Sequence, residues 1–143
     1  MILFSDANDN DGTYSTNGTT SLMIFTNLIG KGALSSTKVL AGQGYPAAAS
    51  TSSITPSNIA MAYVSGLTTS DDGQTPVLIS KGLTTLTATQ VISAITTGWK
   101  SKGIVIYRVG NSAEFLKSGN NGAPVGSVNL SLSTNSITNQ VYQ

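Results

Sequence analysis

Two short apolar runs, Ile59 to Val64 and Pro76 to Ser80, constrain this chain more than any other feature; a polar stretch, Ser65 to Gln74, separates them. In the first run Ile59, Met61 and Tyr63 alternate with smaller residues, the pattern of a strand with one apolar face. In the second, Val77, Leu78 and Ile79 follow one another, which suits a strand covered on both faces. The simplest pairing is an antiparallel hairpin closed by a long loop. An isolated hairpin is marginal in water, so the rest of the chain must extend and cover this one.

The strongest further strand is Ile104 to Val109, IVIYRV, mostly β-branched and aromatic. Gly110-Asn111 makes a tight turn after it. Ser112 to Lys117 returns with Ala113 and Phe115 on one face and Glu114 and Leu116 on the other. Arg108 and Glu114 face each other across this second hairpin, a pair worth less than about 1 kcal/mol if exposed. Val128, Leu130 and Leu132 alternate with polar residues and predict one more strand. Lys38 to Leu40 predicts a short strand, and Ser133 to Gln143 a weakly ordered tail or an edge strand.

Two helices are expected to pack on the sheet. Leu22, Phe25, Leu28 and Ile29 share one face, Thr19 or Thr20 can cap the start near Ser21, and Gly30 and Gly32 stop it. Ala88 to Trp99 predicts a second helix, capped by Thr87, with Val91, Ile92, Ile95 and Trp99 on one face. Ile2 to Phe4 reads as the end of a helix that begins upstream. Ser5 to Gly18 reads as a polar turn region and Gly42 to Pro56 as a surface loop. The fold class is α+β: an antiparallel β-sheet with helices packed on one face. Residues 1–143 form a single domain, in which 118–143 is a C-terminal extension that can add a strand.

The chemistry available is narrow. The chain contains no Cys and no His, so a Cys or Ser nucleophile paired with a His base is excluded. The commonest transition-metal ligands are missing as well. Charged residues make up 9% of the chain, with seven Lys and Arg against six Asp and Glu, and the basic residues are scattered. A nucleic-acid groove needs a clustered basic face, so no nucleic-acid partner is expected. No run reaches the roughly 18 apolar residues of a membrane span.

Each local motif has a bland reading that competes with a sharper one. Asp6, Asn8 and Asn10 alternate like calcium-loop ligands. However, Asp11 stands where that loop needs Gly, and Asn17 where it needs Glu. Asp71-Asp72-Gly73 can hold a cation at a loop tip or simply turn the chain. Ser80-Lys81 and Lys117-Ser118 place neighbouring side chains on opposite faces of a strand, a poor start for a nucleophile and its base. Asp6, Asp9, Asp11, Asp71, Asp72 and Glu114 are the only carboxylates available for glycoside hydrolysis. Gly30-Lys31-Gly32 and Gly42-Gln43-Gly44 are too short for a phosphate loop. Asn17 and Asn129 open Asn-x-Ser/Thr triplets that matter only in a secretory host. Trp99, with Tyr45 and Tyr14, can form an aromatic row for sugars or pack as core. No catalytic, cofactor-binding or metal-ligating residue is assigned, no cofactor is implied, and the chain is not read as an enzyme.

Four segments, in order, give a family resemblance. Asn8 to Tyr14, NDNDGTY, resembles a polar turn that ends a long apolar helix. Ser21 to Leu34 resembles the short helix that follows. Ala62 to Thr68 with Thr75 to Leu78 resembles the pattern YxYVxGLT followed by TPLL. Gly103 to Leu116 resembles a GxxVLYxDGxVEFL hairpin. Together, over residues 5–117, the chain resembles the soluble domain of type IV pilin-like and type II secretion pseudopilin-like proteins. Three features depart from that pattern. Gly44-Tyr45-Pro46 stands where a Cys-Pro is common, Val109 replaces the turn Asp, and the tail after Lys117 is longer. The resemblance implies a pilin-like globular domain, a non-catalytic subunit of a pilus or pseudopilus. It implies other pilin-like subunits as partners and an apolar helix ahead of Ile2, absent from this soluble form, that anchors the subunit in the inner membrane before assembly. Its implied location is a surface filament or the periplasm, and the isolated domain is expected to be monomeric. The alternative reading is a cell-surface or secreted adhesive or carbohydrate-binding module.

Overall fold

The computed structural model describes residues 2–14, 16, 18–93, 95, 99–132 and 141–143. Helix α1 spans Ile2–Asp9 and α2 spans Ser21–Gly30. Among the described residues seven strands follow: β1 Met61–Val64, β2 Pro76–Ser80, β3 Thr89–Val91, β4 Gly103–Arg108, β5 Ala113–Lys117, β6 Ser127–Asn129 and β7 Val141–Tyr142. One sheet has the order β5-β4-β2-β1-β7 and a second, of two strands, pairs β3 with β6. Every pairing is antiparallel. The fold is α+β.

The two sequence-predicted hairpins form the heart of the five-stranded sheet. Tyr63 pairs with Leu78, and Ile106 with Glu114. Consecutive apolar residues in β2 are explained by its position, since β1 and β4 flank it. The register puts Ala62, Ile79 and Ile106 in one row and Tyr63, Leu78 and Tyr107 in the next, which points to the opposite face. The first row, with Val64 and Ile104, is completely buried. The β3–β6 ribbon packs on β4 and β5, and Val128 and Leu130 join the same core.

Helix α2 begins where its cap chemistry requires. The Thr20 hydroxyl accepts from the Met23 N–H at 3.2 Å. Ile24, Phe25 and Leu28 are buried, and Ser21 is tied to the sheet through its Oγ, which accepts from the Tyr63 N–H at 2.9 Å. At the chain's other end, Gln143 O accepts from the Ser21 N–H.

Three expectations need correction, and a fourth is met where it can be described. The Ala88–Trp99 helix is not formed: Thr89–Val91 is strand β3, and residues 94 and 96–98 lie outside the described residues. Exposure alternates from Gln90 to Ser93, with Gln90 and Ile92 buried and Val91 and Ser93 exposed. Thr87 does not cap; its hydroxyl donates to the Thr89 carbonyl at 2.7 Å. In a segment this rich in Thr, Val and Ile, β-branched stiffness outweighs a helix-like spacing of apolar residues. Lys38 to Leu40 is not a strand, because Thr37–Val39 is a 3₁₀ turn opened by Ser36. Ser5 to Gly18 is not turn throughout, since α1 continues to Asp9 before the chain turns. The expected tail, Ser133 to Gln143, is described only at its end, where β7 forms the edge beside β1; residues 133–140 lie outside the described residues.

Candidate functional site

The sheet has two distinct ends, fixed by strand direction. At the loop end, β1 runs into residues 65–75, which lead into β2, and the turn after β4 joins them. Val109 N–H donates to Thr75 O at 2.8 Å and Gly110 N–H to Gly73 O at 3.0 Å. The turn after α1 joins the same end: Thr69 N–H donates to Gly12 O at 2.7 Å, and Tyr14 N–H to Leu67 O at 3.0 Å. Gly12 has φ +79, and an added Cβ would lie 2.9 Å from Thr69 Oγ1, so this junction selects glycine twice over.

At the opposite end a cleft of about 390 Å³ opens on the sheet face that carries Leu78 and Tyr107. Met61, Leu78, Val105 and Tyr107 form its floor, and Val39, Tyr45 and Trp99 its walls. Trp99 meets the Phe115 ring edge-on, with centroids 5.4 Å apart. Both stay partly in solvent, at 44% and 42% exposure. Lys81 leans over the Tyr45 ring, 5.5 Å from its centroid, and donates to the Pro56 carbonyl at 2.7 Å. Burial lowers its pKa from the ordinary 10.5. No acidic residue lines the cleft.

Charge is divided between these ends. Two cations are held in ion pairs: Lys31 with Asp6 at 3.0 Å, and Arg108, at the loop end, with Glu114 at 2.6 Å. The other acids belong to the loop end: Asp9 closes α1, Asp11 lies in the turn after it, and Asp71 and Asp72 sit in the β1–β2 loop. The other cations sit at the cleft end. Lys81 follows β2, Lys100 and Lys102 precede β4, and Lys117 pairs in register with Gly103. Lys38 belongs to the 3₁₀ turn that meets the start of β1, where Ala60 N–H donates to Leu40 O at 2.8 Å. Strands of four to six residues set the two groups about 15–20 Å apart.

The residues weighed for chemistry do not converge. Asp6 is a buried ion-pair partner on α1, and Asn10 donates to its backbone carbonyl at 2.5 Å, so the alternating calcium-loop pattern lies mostly on a helix. Among the described residues no group of three or more Asp, Glu, His or Cys could hold a metal ion. Asp71 accepts from the Thr68 N–H at 2.6 Å, and Asp72 from the Gln74 N–H at 2.9 Å, as turn-forming residues do. Ser80 Oγ accepts from the Val105 N–H at 2.8 Å and donates to the Val105 carbonyl at 3.2 Å, filling a gap in the β2–β4 ladder. It is a structural hydroxyl, and Lys81 is engaged elsewhere. Lys117 and Ser118 end β5, where Ser118 N–H donates to Lys102 O at 2.9 Å. Asn129 bonds with the 120–122 turn, and Asn17 lies outside the described residues. Tyr14 is fully buried and cannot join Trp99 and Tyr45 in an exposed row.

Sequence reasoning missed the role of Arg108. The cross-strand partner expected for Glu114 is only 3% exposed. Its Nε and Nη2 both reach Glu114 Oε1, at 2.8 and 2.6 Å. Its Nη1 donates to the Leu130 carbonyl at 3.1 Å and to the Gln74 carbonyl. One guanidinium therefore ties the second hairpin to the β1–β2 loop and to the segment after β6. Only its place among the apolar residues of IVIYRV hints at this from the sequence.

The buried tyrosines carry a pH signature. Burial raises the Tyr14 pKa above its ordinary 10.0, helped by the nearby Tyr107, and burial raises Tyr107 likewise. Folding thus favours their protonated forms. Their contribution is complete below pH 10 and is lost as pH rises through the raised values. Lys81 works in the opposite sense: its lowered value gains stability as pH climbs towards 10.5. Above pH 10.5 the Lys81 gain is complete, so there the tyrosine losses set the trend. Of the five tyrosines, Tyr14 and Tyr107 are expected to ionise late and together with unfolding. Phenolate absorbance measured alongside circular dichroism checks this; five tyrosines titrating while the fold persists would contradict it.

No family model matches this chain, and no match to it is found among curated proteins or solved structures.

Proposed function

We propose that this domain is the globular part of a non-catalytic filament subunit, of the type IV pilin-like or type II secretion pseudopilin-like kind. The observation that carries the reading is how α1 joins the sheet. Leu3 and Ala7 are buried in the core. The polar turn that follows, Asn10 to Gly12, is fastened to the β1–β2 loop by the Gly12–Thr69 and Tyr14–Leu67 bonds. A helix-first chain with an antiparallel sheet built on it is the arrangement that the resemblance implies. The segments that carry the resemblance are the end of α1 with the turn after it, α2, and the four strands β1, β2, β4 and β5. On this reading the domain is pilin-like, α1 continues an apolar helix, and neighbouring subunits are its partners. Before assembly that helix holds the subunit in the inner membrane. The adhesive alternative is weakened by the burial of Tyr14.

Mass spectrometry of the N-terminus of the native full-length protein tests the reading. The expected result is a methylated residue that opens an apolar segment of about 20 residues ahead of Ile2. An ordinary cleaved secretory leader, or a mature chain that starts at Met1, would overturn it.

A further inference from the structure

We infer that the lysine-rich cleft end is a docking surface for an anionic phospholipid bilayer. Two properties of this end must be met by one partner. The first is charge: Lys38, Lys81, Lys100, Lys102 and Lys117 gather there, while the acids outside ion pairs with Lys31 and Arg108 lie at the far end of the sheet. The second is exposed apolar surface. Val39 is 59% exposed, Trp99 44%, Phe115 42% and Val125 94%. All four belong to this end. Val39 and Trp99 wall the cleft, and the Phe115 ring lies against Trp99. Val125 is in the turn whose Gly126 N–H donates to Ser118 Oγ at 2.7 Å, just beyond Lys117.

Lysines beside a half-exposed indole and aliphatic tips suit the headgroup layer, where aromatic rings and lysine stems enter the apolar boundary and ammonium groups meet phosphate. A second copy of this chain offers a poorer fit. Its acidic end presents Asp11, Asp71, Asp72 and their polar neighbours, which match the charge and leave Trp99 and Val125 uncovered. The contact is peripheral, since among the described residues no helix is long and apolar enough to cross a membrane. It does not rest on the filament reading, because surface docking needs no upstream helix.

Local backbone geometry supplies a clean probe. Lys100 has φ +54, a conformation that glycine adopts without strain. Lys100→Gly therefore removes one charge without harming the fold. Each lysine near an anionic surface contributes about fivefold to partitioning. The experiment is co-sedimentation of the 143-residue chain with phosphatidylglycerol–phosphatidylcholine vesicles and with pure phosphatidylcholine vesicles. Emission from Trp99, the single tryptophan, is recorded alongside. Expected are binding to the anionic vesicles alone, a blue shift of Trp99 emission, and at least tenfold weakening between about 0.05 and 0.5 M salt. Lys100→Gly should weaken binding about fivefold, and Lys100→Gly with Lys102→Gln about 25-fold, with melting temperatures preserved. Equal binding to neutral vesicles, or none to anionic ones at low salt, overturns the inference. Salt-sensitive self-association in sedimentation velocity without vesicle binding also overturns it and gives this end to a second copy. Native N-terminal processing is independent of all these outcomes.

Discussion

Gly103→Ala is expected to lower the melting temperature by about 10 °C or more. An added Cβ would stand 2.3 Å from the Leu116 carbonyl oxygen and 2.6 Å from Phe115 Cζ. The first neighbour is backbone on the adjacent strand, beside the Gly103–Lys117 pair that opens the β4–β5 ladder, and it cannot rotate away. Gly103 also has φ +159 and ψ −172, a region that other residues rarely enter. Overpacking and backbone strain each cost about 1–3 kcal/mol, and in a domain of this size each kcal/mol moves the midpoint by a few degrees. The Phe115 ring must also move, and Trp99 with it, so tryptophan emission should change in the folded state. Gly30→Ala is the matched control. Nothing lies within 4 Å of its added Cβ, and at the end of α2 it should be neutral or slightly stabilising. If thermal melts of the two variants coincide, the account of Gly103 is wrong.

Arg108→Met should cost about 2–4 kcal/mol, whereas Glu114→Gln should cost less than about 1 kcal/mol. The two partners of this ion pair are not equivalent, because the Arg108 side chain is 3% exposed and that of Glu114 46%. Glu114 can recover water when its partner is lost. The Gln74 and Leu130 carbonyls lose a buried donor, which methionine cannot replace. The partly screened charge attraction itself is worth little. Arg108→Lys should recover less than half of the loss, since one ammonium cannot span three partners in the guanidinium's directions. Urea unfolding of the three variants checks the order. Equal losses for Arg108→Met and Glu114→Gln would mean that the ion pair, rather than the carbonyl contacts, holds this junction.

Local pattern made much of this fold legible. The β1–β2 and β4–β5 hairpins follow from alternation and turn chemistry within short stretches, and α2 from a capping threonine and a three-to-four spacing. Elements decided by distant neighbours were not legible in the same way. Strand β3 exists because β6, far along the chain, offers Val128 opposite Gln90, and its local spacing imitates a helix. Arg108 reads as one half of a surface pair until the Gln74 and Leu130 carbonyls arrive from other elements. The lysines of the cleft end are scattered in sequence, and only antiparallel strand direction gathers Lys81, Lys102 and Lys117 at one end. The family resemblance spans the turn after α1, α2 and the hairpins, and in α2 and the hairpins local pattern is also strongest.

The pairing of β1 with β7 has a consequence for synthesis of the chain. Tyr63 and Val64 find their partners at Tyr142 and Val141, the longest-range strand pairing among the described residues. A ribosome adding about 5–20 residues per second makes β1 on the order of ten seconds before β7. During that interval β2 can already cover one edge of β1 while the other keeps its backbone groups open. An open edge is a template for any extended chain nearby. The nascent protein therefore passes through a stage in which strand exchange with a neighbouring copy competes with its own completion, and the arrival of β7 ends the competition.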